Sequence, residues 1–120
     1  MKALIPSRVI DFIFSFFIIY AGVSWHLMNA GGLAGMIPDY MPGDPKIWVY
    51  VTGAGFVLAA VAIITGIQKT LACYLLAAMF LVFVFTLHLK PAMDGDLTAL
   101  VKDSALAMCS ILIGNRSVKK

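Results

Sequence analysis

The sequence predicts an all-α membrane protein, an antiparallel four-transmembrane-helix bundle with both termini cytoplasmic, on three observations. The chain of 120 residues is 62% apolar and only 12% charged, against about 25% charged in an ordinary soluble domain. Its acids are all Asp, with no Glu, so it lacks the polar surface to cover a water-soluble globule. The apolar residues fall in four blocks, about 9–28, 47–67, 71–89 and 97–114. Each is about long enough to cross a hydrocarbon core of roughly 30 Å at 1.5 Å per residue. One transmembrane domain over residues 1–120 accounts for all four.

The first block is rich in Phe and Ile, and Lys2 and Arg8 precede it. It is longer than the apolar region of a secretory signal and three more blocks follow, so it reads as an uncleaved first helix. Arg8, Asp11, Ser15, Gly22 and His26 recur at helical spacing and share one face. Lipid would penalise that face, so it is expected to pack on other helices. Arg8 and Asp11 are three apart, the spacing of an interfacial ion pair. Residues 29–46 carry Gly, Pro and Asp and read as a loop, kept apolar by Leu33, Met36, Ile37, Tyr40 and Met41. Gly31-Gly32 is expected to end the first helix.

Pro45 suits the start of the second helix, and Trp48 and Tyr50 suit a membrane interface. This helix has no charge after Lys46. Its small residues Gly55, Ala59, Ala62 and Gly66 form a stripe that permits close helix approach. The turn Gln68-Lys69-Thr70 is so short that the second and third helices must be antiparallel neighbours. On the third, Cys73, Ala77, Val84 and His88 fall near one face. Asp96 is a candidate N-cap for the fourth helix, which carries Lys102 and Asp103. Cys73 and Cys109 lie inside helices at similar depth. Packing is their expected role, and no disulfide framework is implied.

The basic residues set the predicted orientation. Lys2, Arg8, Lys69, Arg116, Lys119 and Lys120 fall on one side, which is assigned to the cytoplasm. Lys46 and Lys90 fall on the other, beside Asp39, Asp44, Asp94 and Asp96. The expected location is a bacterial inner (plasma) membrane, crossed several times. Scattered basic residues do not make a nucleic-acid surface.

That topology brings His26, His88, Lys102 and Asp103 toward one outer layer, with Trp25 and Lys90 near them. An ionised Asp or Lys at a helix centre costs about 2.5–3.5 kcal/mol on insertion scales. The Lys102 stem can reach water, but Asp103 is shorter and is expected to face the other helices and find a partner there. These four residues are the candidate polar cluster, with Arg8 and Asp11 as a separate ion pair. Two His and scattered Asp lack metal-ligand spacing, and no metal is expected. Nucleotide, phosphate-loop and hydrolase motifs are absent from the sequence, so no catalytic residue is assigned and activity of the isolated chain is not expected.

The stretches AGVSWHL, MIPDYMP, VYVTGAG, FTLHLKPAM and LVKDSALAM, in this order, resemble those of the DoxX-like membrane proteins over nearly the whole chain. That resemblance places a Lys-Asp motif on Lys102 and Asp103. It also implies a Glu where this chain has Phe56, three residues after Gly53. By that resemblance the chain is expected to be an accessory or assembly subunit of a membrane complex, linked to redox chemistry, with a quinone as the one cofactor suggested. Two alternatives are a proton-handling subunit of a quinone-dependent oxidoreductase and a small ion-coupled transporter. The expected partners are the lipid bilayer and either another protein or further copies of the chain.

Overall fold

The computed structural model describes residues 2–118. Lys119 and Lys120, counted among the cytoplasmic charges, lie outside the described residues. Helix dominates, and no strand occurs among the described residues. Three stretches, Ser7–Leu27, Pro45–Thr65 and Lys69–Met93, are long and apolar enough to cross a membrane.

Helix α1 (Ser7–Tyr20) starts after Pro6, whose extended backbone cannot continue a helix backwards. It runs on into a π-helical segment, Ala21–Leu27, where the Met28 N–H reaches back five residues to the Val23 carbonyl at 2.9 Å. The chain leaves this rod at Asn29 and forms a short helix α2 (Ala30–Ala34). Gly31 and Gly32 therefore sit inside α2 and do not end the first helix.

Helix α3 (Pro45–Thr65) is capped by Asp44, whose Oδ1 accepts the Lys46 N–H at 2.9 Å, with Pro45 in the first turn where its missing donor costs nothing. It stops at Gly66, in the left-handed region at φ 80°. Helix α4 (Lys69–Phe83) begins only three residues later and continues as a second π-helical segment, Val84–His88, and then as α5 (Leu89–Met93). Pro91 explains the wide turn. It has no N–H for the Leu87 carbonyl, and its ring crowds that oxygen. The third rod thus runs four residues beyond its expected end at 89.

Helix α6 (Thr98–Arg116) closes the chain, and Asp96 Oδ1 accepts the Thr98 N–H at 3.2 Å from just outside it. The expectation of four apolar spans is corrected to three. Lys102, Asp103, Asn115 and Arg116 dilute the apolar content of α6 below that of the other rods.

Around the molecule, α1 packs on α3, α3 on α4 and α4 on α6. The shared core holds Ile18, Phe56, Ala60, Ile63, Leu76, Phe80, Ala107 and Ile113. The face Cys73, Ala77, Val84 and His88 is buried throughout. The tightest helix contact falls elsewhere than the predicted stripe, of which only Ala59 is fully buried. It is the crossing of Gly22 and Gly53. A Cβ on Gly22 would lie 2.9 Å from the Gly53 oxygen, and one on Gly53 would lie 2.7 Å from His26 Cβ. Neither position has room for alanine.

Apolar side chains face outward as well as inward. Phe16, Phe17, Leu58, Leu75, Phe85 and Leu112 are each at least 61% exposed, whereas Asp11 is 1% and Asp103 4% exposed. The long dimension of 48 Å is comparable to a bilayer with its headgroups, about 40–45 Å.

Candidate functional site

Asp103 lies on the inward face of α6, in register with Ala107 and Ser110, which are fully buried. His88 closes the π-helical segment of the third rod and is also buried. The two meet: His88 Nε2–H donates to Asp103 Oδ2 at 2.7 Å. Lys102 Nζ stands 3.6 Å from the other oxygen, too far for a hydrogen bond but close enough for ionic attraction. Its side chain is half exposed and its ammonium lies 5.3 Å above the Trp25 ring centroid, a cation–π distance. The carboxylate therefore bonds an imidazole on one side and faces an ammonium on the other, among otherwise apolar helices.

His26 is the next-to-last residue of the other π-helical segment. Its Nδ1–H donates to the Ala21 carbonyl at 2.9 Å, which fixes the ring and leaves Nε2 for other partners. Its ring meets Phe56 edge-on at 4.9 Å. Phe56 also packs on Phe80 and Phe83. Both histidines lie in widened turns, and π turns are frequent at functional sites.

His26, His88, Lys102 and Asp103 all line one cavity of about 670 Å³. The rest of its wall is apolar and aromatic, with Tyr20, Trp25, Phe56, Phe80 and Phe83 among its rings and Met36 and Ile37 of the 29–46 loop along one side. So the loop covers part of the polar layer. Lys90 does not line the cavity; it is exposed on α5. A pocket of this size and lining suits a largely apolar molecule with a few hydrogen-bonding atoms. Among the described residues, no group of three or more His, Cys, Asp or Glu stands together as a metal site would require.

The cavity lies between α1 and α6. Among the described residues these helices share no extended packing, and they are linked by Arg116 bonding Asp11 at the far end. Along the rest of that seam, side chains of both helices line the cavity.

The predicted pair of Arg8 and Asp11 does not form. Asp11 Oδ2 accepts from Lys69 Nζ at 2.5 Å, and Oδ1 accepts from the Arg116 guanidinium. Arg8 donates to the Ile64 carbonyl at 3.2 Å and covers the Phe12 ring. Sequence spacing favoured the local partner, but Asp11 faces inward and Arg8 faces out. Lys69 and Arg116 were the partners missed. The available signal was that both fall on the side of the bundle where the first helix begins. Two further links were invisible in the sequence: Ser110 Oγ donates to the Cys73 carbonyl at 2.6 Å, and the Tyr74 hydroxyl bonds Asn115. Cys73 is buried and Cys109 exposed, and both are free thiols.

Residues 14–112 match the family described as Domain of unknown function (DUF8561). The chain belongs to that family. No curated protein and no solved structure matched. The resemblance to DoxX-like proteins is thereby overturned. Its motifs are short runs of Gly, aromatic and aliphatic residues, which helices of this composition share without kinship. The family match contains His26, His88, Lys102 and Asp103, together with Lys69. It leaves Arg8, Asp11 and Arg116 outside.

Proposed function

We propose that the protein is a membrane-embedded four-helix bundle, one domain with antiparallel spans α1, α3, α4 and α6, and that it holds a lipid-soluble ring compound in the cavity between α1 and α6. Helix α6 serves as the fourth span. Its 19 residues reach about 28 Å, Asp103 is neutralised by His88 and Lys102, and Lys102 snorkels toward water. The excess of basic residues at the α1 start, the 66–69 turn and the α6 end supports a cytoplasmic position for both termini. A bacterial inner membrane agrees with that orientation.

The redox complex expected from the DoxX-like resemblance loses its support with the family correction, and the reading rests on the site instead. One observation carries it: a buried, hydrogen-bonded His88–Asp103 pair set in the wall of an otherwise aromatic cavity. A planar head with carbonyl oxygens, of the quinone class, fits such a wall. Such a head stacks on the rings and accepts from Lys102 or an imidazole, while its tail follows the sparsely packed seam between α1 and α6 toward lipid. The protein then acts as a carrier or accessory subunit that presents the ring to a partner or a second copy, with no chemistry of its own. A proton-handling role would use the same pair. An ion-coupled transporter gains less support, because Asp11 and Asp103 sit toward opposite ends of the rods and not at mid-depth.

The test uses a Trp48→Phe background, so that Trp25 of the cavity wall is the one remaining indole. Titration of detergent-purified protein with a short-tailed benzoquinone should give saturable quenching of its fluorescence. His88→Gln and Asp103→Asn should each weaken that binding about tenfold, the value of one lost charged hydrogen bond. Linear, unsaturable quenching indifferent to both substitutions rejects the reading. Proton-gradient-driven uptake of a solute into proteoliposomes, abolished by Asp103→Asn, would favour transport instead.

A further inference from the structure

A second cavity, of about 680 Å³, lies at the end of the rods opposite the aromatic one. Ser7, Arg8, Asp11, Lys69, Thr70 and Arg116 contribute to its wall. Three cations face it with one carboxylate, an excess of two positive charges. The carboxylate is fully engaged, since Lys69 takes one oxygen of Asp11 and Arg116 the other. The cations are not. A guanidinium has five N–H donors and an ammonium three. Arg116 and Lys69 each spend one on Asp11, and Arg8 spends one on Ile64. Among the described residues, their remaining donors meet no side-chain acceptor. Lys69 opens α4 directly after the left-handed turn at Gly66 and Gln68, and its ammonium is anchored on Asp11.

We propose that this cavity binds a phosphate group, supplied by the headgroup of an anionic membrane lipid. Basic pockets between membrane helices have the charge and donors for such headgroups. The flank supports the lipid source. Leu4, Ile5, Ile67 and Leu71 are all more than half exposed beside the cavity, and acyl chains would cover them. A free phosphate would satisfy the cations and leave that apolar flank bare.

The experiment compares the full chain in nanodiscs of phosphatidylcholine alone and with phosphatidylglycerol, reading lipid retention by native mass spectrometry and the unfolding temperature. Inorganic phosphate, at constant ionic strength, is the second probe. Arg8→Gln is the informative variant, because it removes a cation without touching the Asp11 pairs. Arg8→Lys keeps the charge. Phosphatidylglycerol should be retained preferentially and raise the unfolding temperature, Arg8→Gln should cut retention about fivefold, and Arg8→Lys should restore most of it. An unfolding temperature that responds to inorganic phosphate in phosphatidylcholine discs, and loses that response in Arg8→Gln, supports the anion site with a soluble occupant and overturns the lipid source. Responses to neither probe, or responses indifferent to Arg8→Gln, overturn the site itself.

Discussion

His88 and Asp103 are fifteen residues apart in sequence, yet their side chains meet at 2.7 Å between two helices, with less than a tenth of either exposed. Removing one partner strands the other. His88→Leu leaves a buried carboxylate with only a lysine at 3.6 Å and should cost about 3–5 kcal/mol. The double replacement His88→Leu, Asp103→Leu should recover much of that, because no orphan charge remains. Unfolding of the two variants in detergent measures the difference.

Asp11 is the counterpart at the other end. It ties α1 to the start of α4 and the end of α6 through Lys69 and Arg116. Asp11→Asn should cost about 3 kcal/mol, since two cations lose their anion in a partly buried site. Arg8→Gln should cost less than about 1 kcal/mol, because Arg8 is exposed and makes one bond to a carbonyl. Equal losses would mean that Arg8 belongs to the clamp.

The crossing of Gly22 and Gly53 sets how near the first rod stands to α3. In Gly53→Ala the new methyl would fall 2.7 Å from His26 Cβ and 3.0 Å from the Gly22 oxygen. Overpacking of this kind costs about 1–3 kcal/mol. It should also move His26 and weaken benzoquinone binding. Gly55→Ala, with 3.6 Å to the flexible end of Met79, should be tolerated and is the control.

Ser15 is fully buried and its hydroxyl has no hydrogen-bond partner among the described residues. An unsatisfied buried hydroxyl is a net loss, so Ser15→Ala should leave stability unchanged or raise it by about 1 kcal/mol. A marked loss would show that the hydroxyl is satisfied by water.

The positions of the long helices were legible because 62% apolar composition and Pro, Gly and Asp breaks leave few alternatives. That Asp103 would meet a partner such as His88 inside the bundle was legible for a related reason. An ionisable side chain in an apolar run must find a partner, and few were available. Partner choice was less legible. Arg8 looked right for Asp11 by spacing, but the pairs that form join residues 58 and 105 positions apart.

The sequence by itself determined that this chain is helical, that it carries blocks apolar enough to cross a membrane, and that its buried acids need company. Periodicity and transfer energy are local quantities, readable one segment at a time. Tertiary structure alone decided that Gly22 crosses Gly53, that two π-helical turns present His26 and His88 to one cavity, and that α1 and α6 part at one end while Asp11 holds them at the other. Those outcomes depend on how four rods share space, and no single segment carries that information.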